Sequence, residues 1–212
     1  MAKQVISTPV IRRLPRYYRF LGELENENIE RISSRELAQR MGLSASQIRQ
    51  DFNCFGGFGQ QGYGYHVKAL REEIGRILGV QEHTGVVLIG AGNLGKAVAT
   101  HLDFRKRGCE LVGIFDSNPD LSGTSAAGLP IQPMTQLETF CRAHQPEVAV
   151  LCIPKGAAQE LAECLVSLGI KGFWNFSHYD LKLNNPTIIV ENVHLGDSLM
   201  TLAYCMHHRD EE

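Results

Sequence analysis

Apolar residues return at helical spacing three times in the first 52 positions. From Pro9 to Glu25 they fall at Val10, Leu14, Tyr17, Tyr18, Leu21 and Leu24, one face of a helix. Ser33-Ser34 then offers an N-cap to a short helix from Arg35 to Met41, and Gly42-Leu43 ends it. Ser44 opens another, Ala45 to Phe52. Leu37, Ala38 and Met41 face inward in this reading, with Leu43, Ile48 and Phe52, which leaves Ser46, Gln47, Arg49 and Gln50 outward. A helix, a Gly-containing tight turn and a second helix form the layout of a helix-turn-helix, and the small Ala38 lets the two helices approach closely. Two helices with a Gly turn also occur in any α-rich domain, so this segment alone leaves DNA binding open.

From Phe55 to Val67 the pattern changes. Five glycines alternate with aromatics, which is wrong for a helix and right for a short hairpin. A hairpin directly after a recognition helix is a wing, able to lie along the DNA backbone or enter a minor groove. Lys68 to Leu78 then reads as a helix with Leu70, Ile74, Ile77 and Leu78 on one side, and Gly79 to Gly85 as a domain boundary.

The most specific motif follows. Val86-Val87-Leu88-Ile89 is a continuous apolar run, as expected of a strand buried on both faces of a parallel sheet. It leads into Gly90-Ala91-Gly92-Asn93-Leu94-Gly95, then a helix from Lys96 to Arg105 and a strand from Glu110 to Phe115 that ends at Asp116, 21 residues after Gly95. Each part has a physical job in binding a dinucleotide. Gly90 permits the tight turn, Gly92 lets backbone approach the pyrophosphate, and Gly95 lets the helix pack closely on the strand. Free N–H groups at the helix start, ahead of Lys96, hold the phosphates. Asp116 accepts hydrogen bonds from the ribose hydroxyls and repels a 2′-phosphate, which favours NAD(H) over NADP(H).

Further α/β alternation continues the pattern: a helix from Glu138 to His144, a buried strand from Val148 to Ile153, and a helix from Lys155 to Leu168. Short strands are expected at Lys171 to Phe176 and Thr187 to Glu191. Ile153-Pro154 and Asn175-Phe176-Ser177 fall at strand C-terminal ends, where an open α/β sheet keeps its ligand crevice, and are candidates to line the nicotinamide half. Val193 to His207 reads as an amphipathic helix with Leu195, Leu199, Leu202, Ala203 and Met206 apolar. It packs either on its own sheet or on a partner subunit.

Composition alters this picture little. Hydrophobic residues make up 43% and charged residues 21%, as in ordinary globular proteins. The net charge of −2 hides an asymmetry: residues 1–80 carry 12 Lys and Arg against 8 Asp and Glu, the remainder 9 against 15. Only the first part therefore suits a polyanion. No apolar run approaches the ~18 residues of a membrane span, and the N-terminus lacks a signal-peptide core, which predicts a cytoplasmic protein. The six scattered cysteines form no C-x-x-C pair and read mostly as small buried hydrophobes. The eight histidines show no metal-binding spacing, so no metal site is expected, and His207-His208 reads as a solvated end.

Taken in order, these pieces resemble the Rex family of redox-sensing transcriptional repressors over nearly the whole chain. The residues that carry the resemblance are Ile11 to Arg19, Ser33 through Leu43, Gln47 to Phe52, Phe55-Gly56 through Tyr65, Gly90 to Gly95, Gly169 to Gly172 with Asn175-Phe176, and Glu191-Asn192-Val193. The resemblance implies an α/β homodimer in which each chain has a winged helix-turn-helix domain (1–80), a Rossmann-type doubly wound parallel sheet (84–191) and a C-terminal domain-swapped helix (192–208). It implies NADH and NAD⁺ as sensed ligands, held by Gly90, Ala91, Gly92, Asn93, Leu94, Gly95, Lys96, Asp116, Ile153, Pro154, Asn175, Phe176 and Leu195. It implies double-stranded operator DNA, an AT-rich inverted repeat, met by Arg13, Ser46, Gln47, Arg49, Gln50, Phe58, Gln61 and Tyr63. NADH then draws the Rossmann domains together and releases the DNA, with Arg19, His101 and His194 at the interdomain switch.

Three positions depart from the family pattern. Members commonly carry Lys where this chain has Gln50, and a basic pair where it has Gln60-Gln61. Each missing cation removes about one phosphate contact and lowers the salt slope by about 0.9. His194 stands where relatives place an acid that pairs with an Arg matching Arg19. Two other readings compete. A small NAD-dependent oxidoreductase with a helical accessory domain needs a proton donor, and only His178 and Tyr179 offer one. A CoA-binding fragment of ligase type shares the sheet but does not account for the N-terminal module.

Overall fold

The computed structural model describes residues 6–55, the backbone of 59–60, and residues 63–208. The chain divides into two compact units, Met1–Gln81 and Glu82–Glu212.

The first unit is built on helix α1 (Thr8–Asn26), whose buried row Val10, Leu14, Tyr17, Leu21 and Leu24 follows the helical period. Pro15 lies inside this helix, yet Pro15 and Ile11, whose carbonyl loses its helical donor, both face solvent. After a two-residue strand β1 (Arg31–Ile32), Ser33 starts α2 (Ser34–Met41) with a full capping box. Its hydroxyl accepts the Glu36 N–H at 3.1 Å, and the Glu36 carboxylate accepts the Ser33 N–H at 2.9 Å. Gly42 stops α2 in the left-handed conformation, φ 64°, which costs glycine nothing. Helix α3 (Ala45–Asn53) packs on α2 and completes the helix-turn-helix.

Strands β2 (Gly59–Gln60) and β3 (Gly64–His66) form the wing hairpin, and β3 also pairs antiparallel with β1. At Gly64, φ 69°, a Cβ would lie 2.6 Å from the Ile32 carbonyl oxygen, so only glycine lets the wing meet β1. Phe52 centres an aromatic cluster, edge-on to Tyr17 and to Tyr65 at 5.0 Å each. Helix α4 (Val67–Ile77) closes the core through Val67, Leu70 and Ile74.

The second unit is one sheet ordered β10-β9-β8-β4-β5-β7-β6. Its strands are β4 (Thr84–Ile89), β5 (Cys109–Asp116), β6 (Ser125–Ala126), β7 (Leu129–Pro133), β8 (Val148–Leu151), β9 (Gly172–Asn175) and β10 (Ile189–Asn192). All pairings are parallel except that of β6 with β7. The chain builds outward from β4 to β5 and β7, then returns to the other side of β4 at β8, which puts a topological switch point between β4 and β8. This is the doubly wound order expected of a Rossmann-type sheet.

Strand β4 is buried on both faces. Val87 and Ile89 join the cluster beneath α6 (Leu137–His144) and α7 (Lys155–Ser167), while Val86 and Leu88 join the opposite one with Ala99 of α5 (Asn93–His101). The β6–β7 hairpin leaves no mark in the sequence: between Ser125 and Pro133 only Ala126 and Ile131 are buried, too few to show a periodicity. The cysteines depart from the expectation of burial, with Cys141 buried, Cys54, Cys109 and Cys152 half-buried, and Cys164 and Cys205 exposed.

Helix α8 (Leu195–His207) keeps the expected one-sided pattern, with Asp197 and Thr201 on the side away from Leu195, Leu199, Ala203 and Met206, but its apolar side is uncovered. Leu195, Leu199, Met200, Leu202, Tyr204 and Met206 are exposed, and none of its residues is buried, so it does not pack on its own sheet. Among the described residues no helix is long and apolar enough to cross a membrane.

Candidate DNA-facing helix and nucleotide loop

Helix α3 begins where the Ser44 hydroxyl accepts the Gln47 N–H at 3.1 Å. Ser46, Arg49 and Gln50 are exposed on it, and Tyr63 beside the wing is 70% exposed. Arg49 donates from Nη1 to the Ser34 hydroxyl at 3.2 Å, tying α3 to the start of α2. Phe58 and Gln61, expected on the wing, lie outside the described residues.

Gln47 corrects the expectation of a freely outward side chain, because it and Arg13, expected to meet DNA, are both anchored to Asp51, which is 1% exposed. Arg13 Nε donates to Oδ2 and Arg13 Nη2 to Oδ1, each at 2.7 Å. The Tyr17 hydroxyl donates to Oδ2 at 2.6 Å, and Gln47 Nε2 to Oδ1 at 2.9 Å. A carboxylate leaves water only when its charge and lone pairs are met, and four donor atoms meet them here. Burial pushes Asp51 up, but the bonds from Arg13, Tyr17 and Gln47 outweigh it and hold the carboxyl below its usual range. Burial, reinforced by the bond to Asp51, drives the Tyr17 phenol far above its usual value. The i, i+4 spacing of Arg13 with Tyr17, and of Gln47 with Asp51, is visible in the sequence. That the two pairs face each other is not.

In the second unit Gly90 to Lys96, Asp116, Ile153, Pro154, Asn175 and Phe176 lie at strand C-terminal ends along one edge of the sheet, whereas Leu195, the first residue of α8, is exposed. Gly90 has φ 95°, and a Cβ there would lie 2.3 Å from the Cys152 carbonyl oxygen and 3.0 Å from Ile153 Cγ2. A Cβ on Gly95 would lie 1.8 Å from the Gly90 carbonyl oxygen. These two glycines are therefore required by the protein's own backbone. Gly92 is different: it caps α5 without a side-chain hydrogen bond, and a Cβ there meets nothing within 4 Å. Its space opens outward, beside the exposed Asn93 and Leu94, where the first-turn N–H groups have no side-chain acceptor.

Asp116 lies at this edge, where it also braces the loop. Its Oδ2 accepts the Ala91 N–H at 2.5 Å and its Oδ1 the Asn118 N–H at 2.7 Å. Pro154 is exposed at the start of α7. Asn175 and Phe176 do not offer free groups as expected of lining residues. The Asn175 amide donates to the Tyr179 carbonyl at 2.6 Å and to Asn192 Oδ1 at 2.8 Å, and its oxygen accepts from the Ser177 N–H and hydroxyl. It is a brace for the loop after β9, and Phe176 is buried edge-on to Trp174.

The three expected switch residues are placed as follows. Arg19 is exposed on α1 with its guanidinium 5.9 Å from the Phe20 ring centre. His101 is the exposed last residue of α5. His194 has an acid within its own unit, its Nε2 lying 2.8 Å from Asp180 Oδ1, a bond that holds the imidazole above its usual pKa. Of the two candidate proton donors, His178 is exposed at φ 56°, and Tyr179 is half-buried 5.9 Å beneath Lys155 Nζ.

A winged helix-turn-helix joined in one chain to a dinucleotide-type sheet defines a nucleotide-responsive transcriptional regulator. Comparison with known proteins agrees in both halves. Residues 5–53 match a family model described as "Putative DNA-binding protein N-terminus", and residues 81–179 match one described as "CoA binding domain". The redox-sensing transcriptional repressor Rex of Clostridium perfringens (strain SM101 / Type A) is 49% identical over 208 residues, 98% of each chain. That of Clostridioides difficile (strain 630) is 52% identical over 201 residues, 95% of each. The crystal structure of RSP in complex with β-NAD⁺ and operator DNA matches with a TM-score of 0.90 at 48% identity, covering 98% of this chain and 95% of that one. RSP in complex with β-NADH matches at 0.89 and 45% identity, covering 98% and 97%. The chain belongs to the Rex family of redox-sensing transcriptional repressors.

Proposed function

We propose that this protein represses transcription by binding operator DNA through α3 and the wing, and that NADH, held at the Gly90–Gly95 loop, releases it. The observation that carries the reading is the likeness, at close to half sequence identity over almost the whole chain, to a Rex-family repressor seen with operator DNA and with each nicotinamide nucleotide. The loop fits such a ligand. Its uncapped helix start suits a pyrophosphate, the space at Gly92 suits close approach, and Asp116 retains lone pairs for ribose hydroxyls. Ile153, Pro154 and Leu195 line the nicotinamide side, with Asn175 and Phe176 acting from behind. Ser46, Gln47, Arg49, Gln50, Tyr63 and the wing residues Phe58 and Gln61 meet the DNA, with Arg13 acting through Asp51.

Residues 1–80 form the DNA-binding domain, 84–191 the nucleotide domain and 192–208 the dimerisation helix. An apolar helix with no buried face in its own chain supports a homodimer in which α8 is covered by the partner. A protein whose partner is operator DNA works in the cytoplasm. Arg19 and His194 take part in the switch, with Asp180 supplying the acid that His194 displaces from its own position.

The test is a titration of labelled AT-rich inverted-repeat DNA with protein alone, with NADH, with NAD⁺ and with CoA, the last included because of the CoA-binding family match. Release by micromolar or tighter NADH with a much weaker effect of NAD⁺ is the expected result. Equal effects of NADH and NAD⁺ would sink redox sensing, since a ligand shifts an equilibrium only by its differential affinity for the two states. Release by CoA alone would reassign the loop.

A further inference from the structure

The Asp51 network has a consequence for how DNA is read. Gln47 is the third residue of α3, in the N-terminal turn that reaches base edges in helix-turn-helix proteins. An ionised carboxylate only accepts hydrogen bonds, so the Gln47 amide must turn its amino group to Asp51, as its Nε2 to Oδ1 distance of 2.9 Å records. One amide N–H and the carbonyl oxygen are then left for a partner outside. Asp51 is itself immobilised. Arg13 grips both of its oxygens through two donors, and the buried Tyr17 hydroxyl, on the next turn of α1, holds Oδ2. Both helices are fastened in turn by the core that surrounds the network: Leu14 and Leu21 on α1, Ile48 and Phe52 on α3.

A glutamine free to flip presents either end of its amide and discriminates poorly. One held by its amino group presents a fixed donor–acceptor pair. That pair matches the major-groove edge of adenine, where N7 accepts and N6 donates. We propose that Asp51 is a positioning residue for base reading, clamping Gln47 so that its amide recognises an adenine in each operator half-site. Arg13 is the counter-charge that keeps Asp51 ionised in the core, a task in which its cation stabilises the clamp instead of a phosphate. The inference rests on the operator-binding reading above.

Asp51→Asn tests it. The substitution is nearly isosteric, but it puts an amino group where four donors converged, and Gln47 satisfies it only by turning its carbonyl inward. Duplexes selected by the parental protein from a randomised pool supply the probes, and every half-site position is then varied singly. The parental protein should prefer adenine at one position per half-site by about fivefold or more, the scale of a bidentate base contact. Gln47→Ala should erase that preference alone. Asp51→Asn should erase it at the same position, the double variant should lose no more than either single one, and the salt slope should stay unchanged because no phosphate contact is lost. Circular dichroism and thermal melting report whether the variant is folded. If Asp51→Asn does not fold, Arg13→Lys keeps the charge but loses the two-pronged grip, and should lower the same preference by about half while leaving other positions alone.

Uniform weakening at every position, additive effects in the double variant, or an unaltered preference in the folded variant would overturn the proposal while leaving operator binding intact. So would parental discrimination in Arg13→Lys. Absence of any selected sequence for the parental protein would instead remove the operator reading, and the inference with it.

Discussion

The two units hold the groups proposed to face their ligands by opposite means. In the winged unit, side chains do it: a buried carboxylate gathers Arg13, Tyr17 and Gln47, and a Ser–Glu capping box starts α2. In the sheet unit, backbone does it. Gly90 and Gly95 are required because carbonyl oxygens occupy the space a Cβ would need, and Asp116 works through the Ala91 and Asn118 N–H groups. The contrast follows from the two partners. A base sequence is a pattern of donors and acceptors that side chains must match, whereas a pyrophosphate is a charge that any converging set of N–H groups can hold. The helix face of the winged unit should therefore be most sensitive to removed charge, and the nucleotide loop of the sheet unit to added carbon.

The largest effect is expected from Gly95→Ala. Its Cβ would lie 1.8 Å from the Gly90 carbonyl oxygen, and backbone cannot yield cheaply. A loss of about 3 kcal/mol or more in the second unit's stability is expected, with no saturable NADH binding, while Leu14-to-Ile74 packing in the first unit stays intact. Denaturant unfolding monitored by the Trp174 fluorescence of the second unit reads this directly. An unchanged midpoint would break the comparison at its backbone end.

Asp51→Ala comes next. It strands the Arg13 cation and the Tyr17 and Gln47 donors, and should cost about 3 kcal/mol, reduced below the extreme for buried pairs because Arg13 is 30% exposed. The pH dependence has a definite sign. Asp51 is held below its usual value of 3.8 in the folded state, so its contribution is complete above that value and is lost as pH falls through the lower folded value. Parental protein should lose stability in the first unit below about pH 4, and Asp51→Asn should flatten that dependence in an acid titration followed by circular dichroism.

Ser33→Ala is smaller. It removes one bond of the capping box and should cost about 1 kcal/mol, seen as a lower melting temperature with nucleotide affinity unchanged.

Gly92→Ala should cost least in stability and sharpens the comparison most. Its Cβ meets nothing within 4 Å, so the protein should melt within about 0.5 kcal/mol of the parental one while binding NADH more weakly, because the added methyl stands in the pyrophosphate's path. Calorimetric titration beside thermal melting separates the two effects. A loss of stability comparable to that of Gly95→Ala would show that the three glycines act alike.

What the sequence determined by itself were the features written in local period and local chemistry. The helical rows of α1 to α4, the caps at Ser33, Gly42 and Ser44, the apolar run of β4 and the Gly90–Gly95 loop with Asp116 each declare themselves within a few residues. Tertiary structure decided whatever depends on residues far apart meeting. Asp51 reads as an ordinary polar helix position until α1 brings Arg13 and Tyr17 onto it from 38 and 34 residues away. Asn175 reads as a crevice residue until Tyr179, Ser177 and Asn192 take up its amide. The β6–β7 hairpin buries too little to leave a pattern, and the apolar face of α8, plain in the sequence, reads as covered until the structure leaves every side of the helix exposed. The reason is common to all four: a hydrogen bond or a covered face is a property of a pair, and the chain's periodicity describes only one member of it.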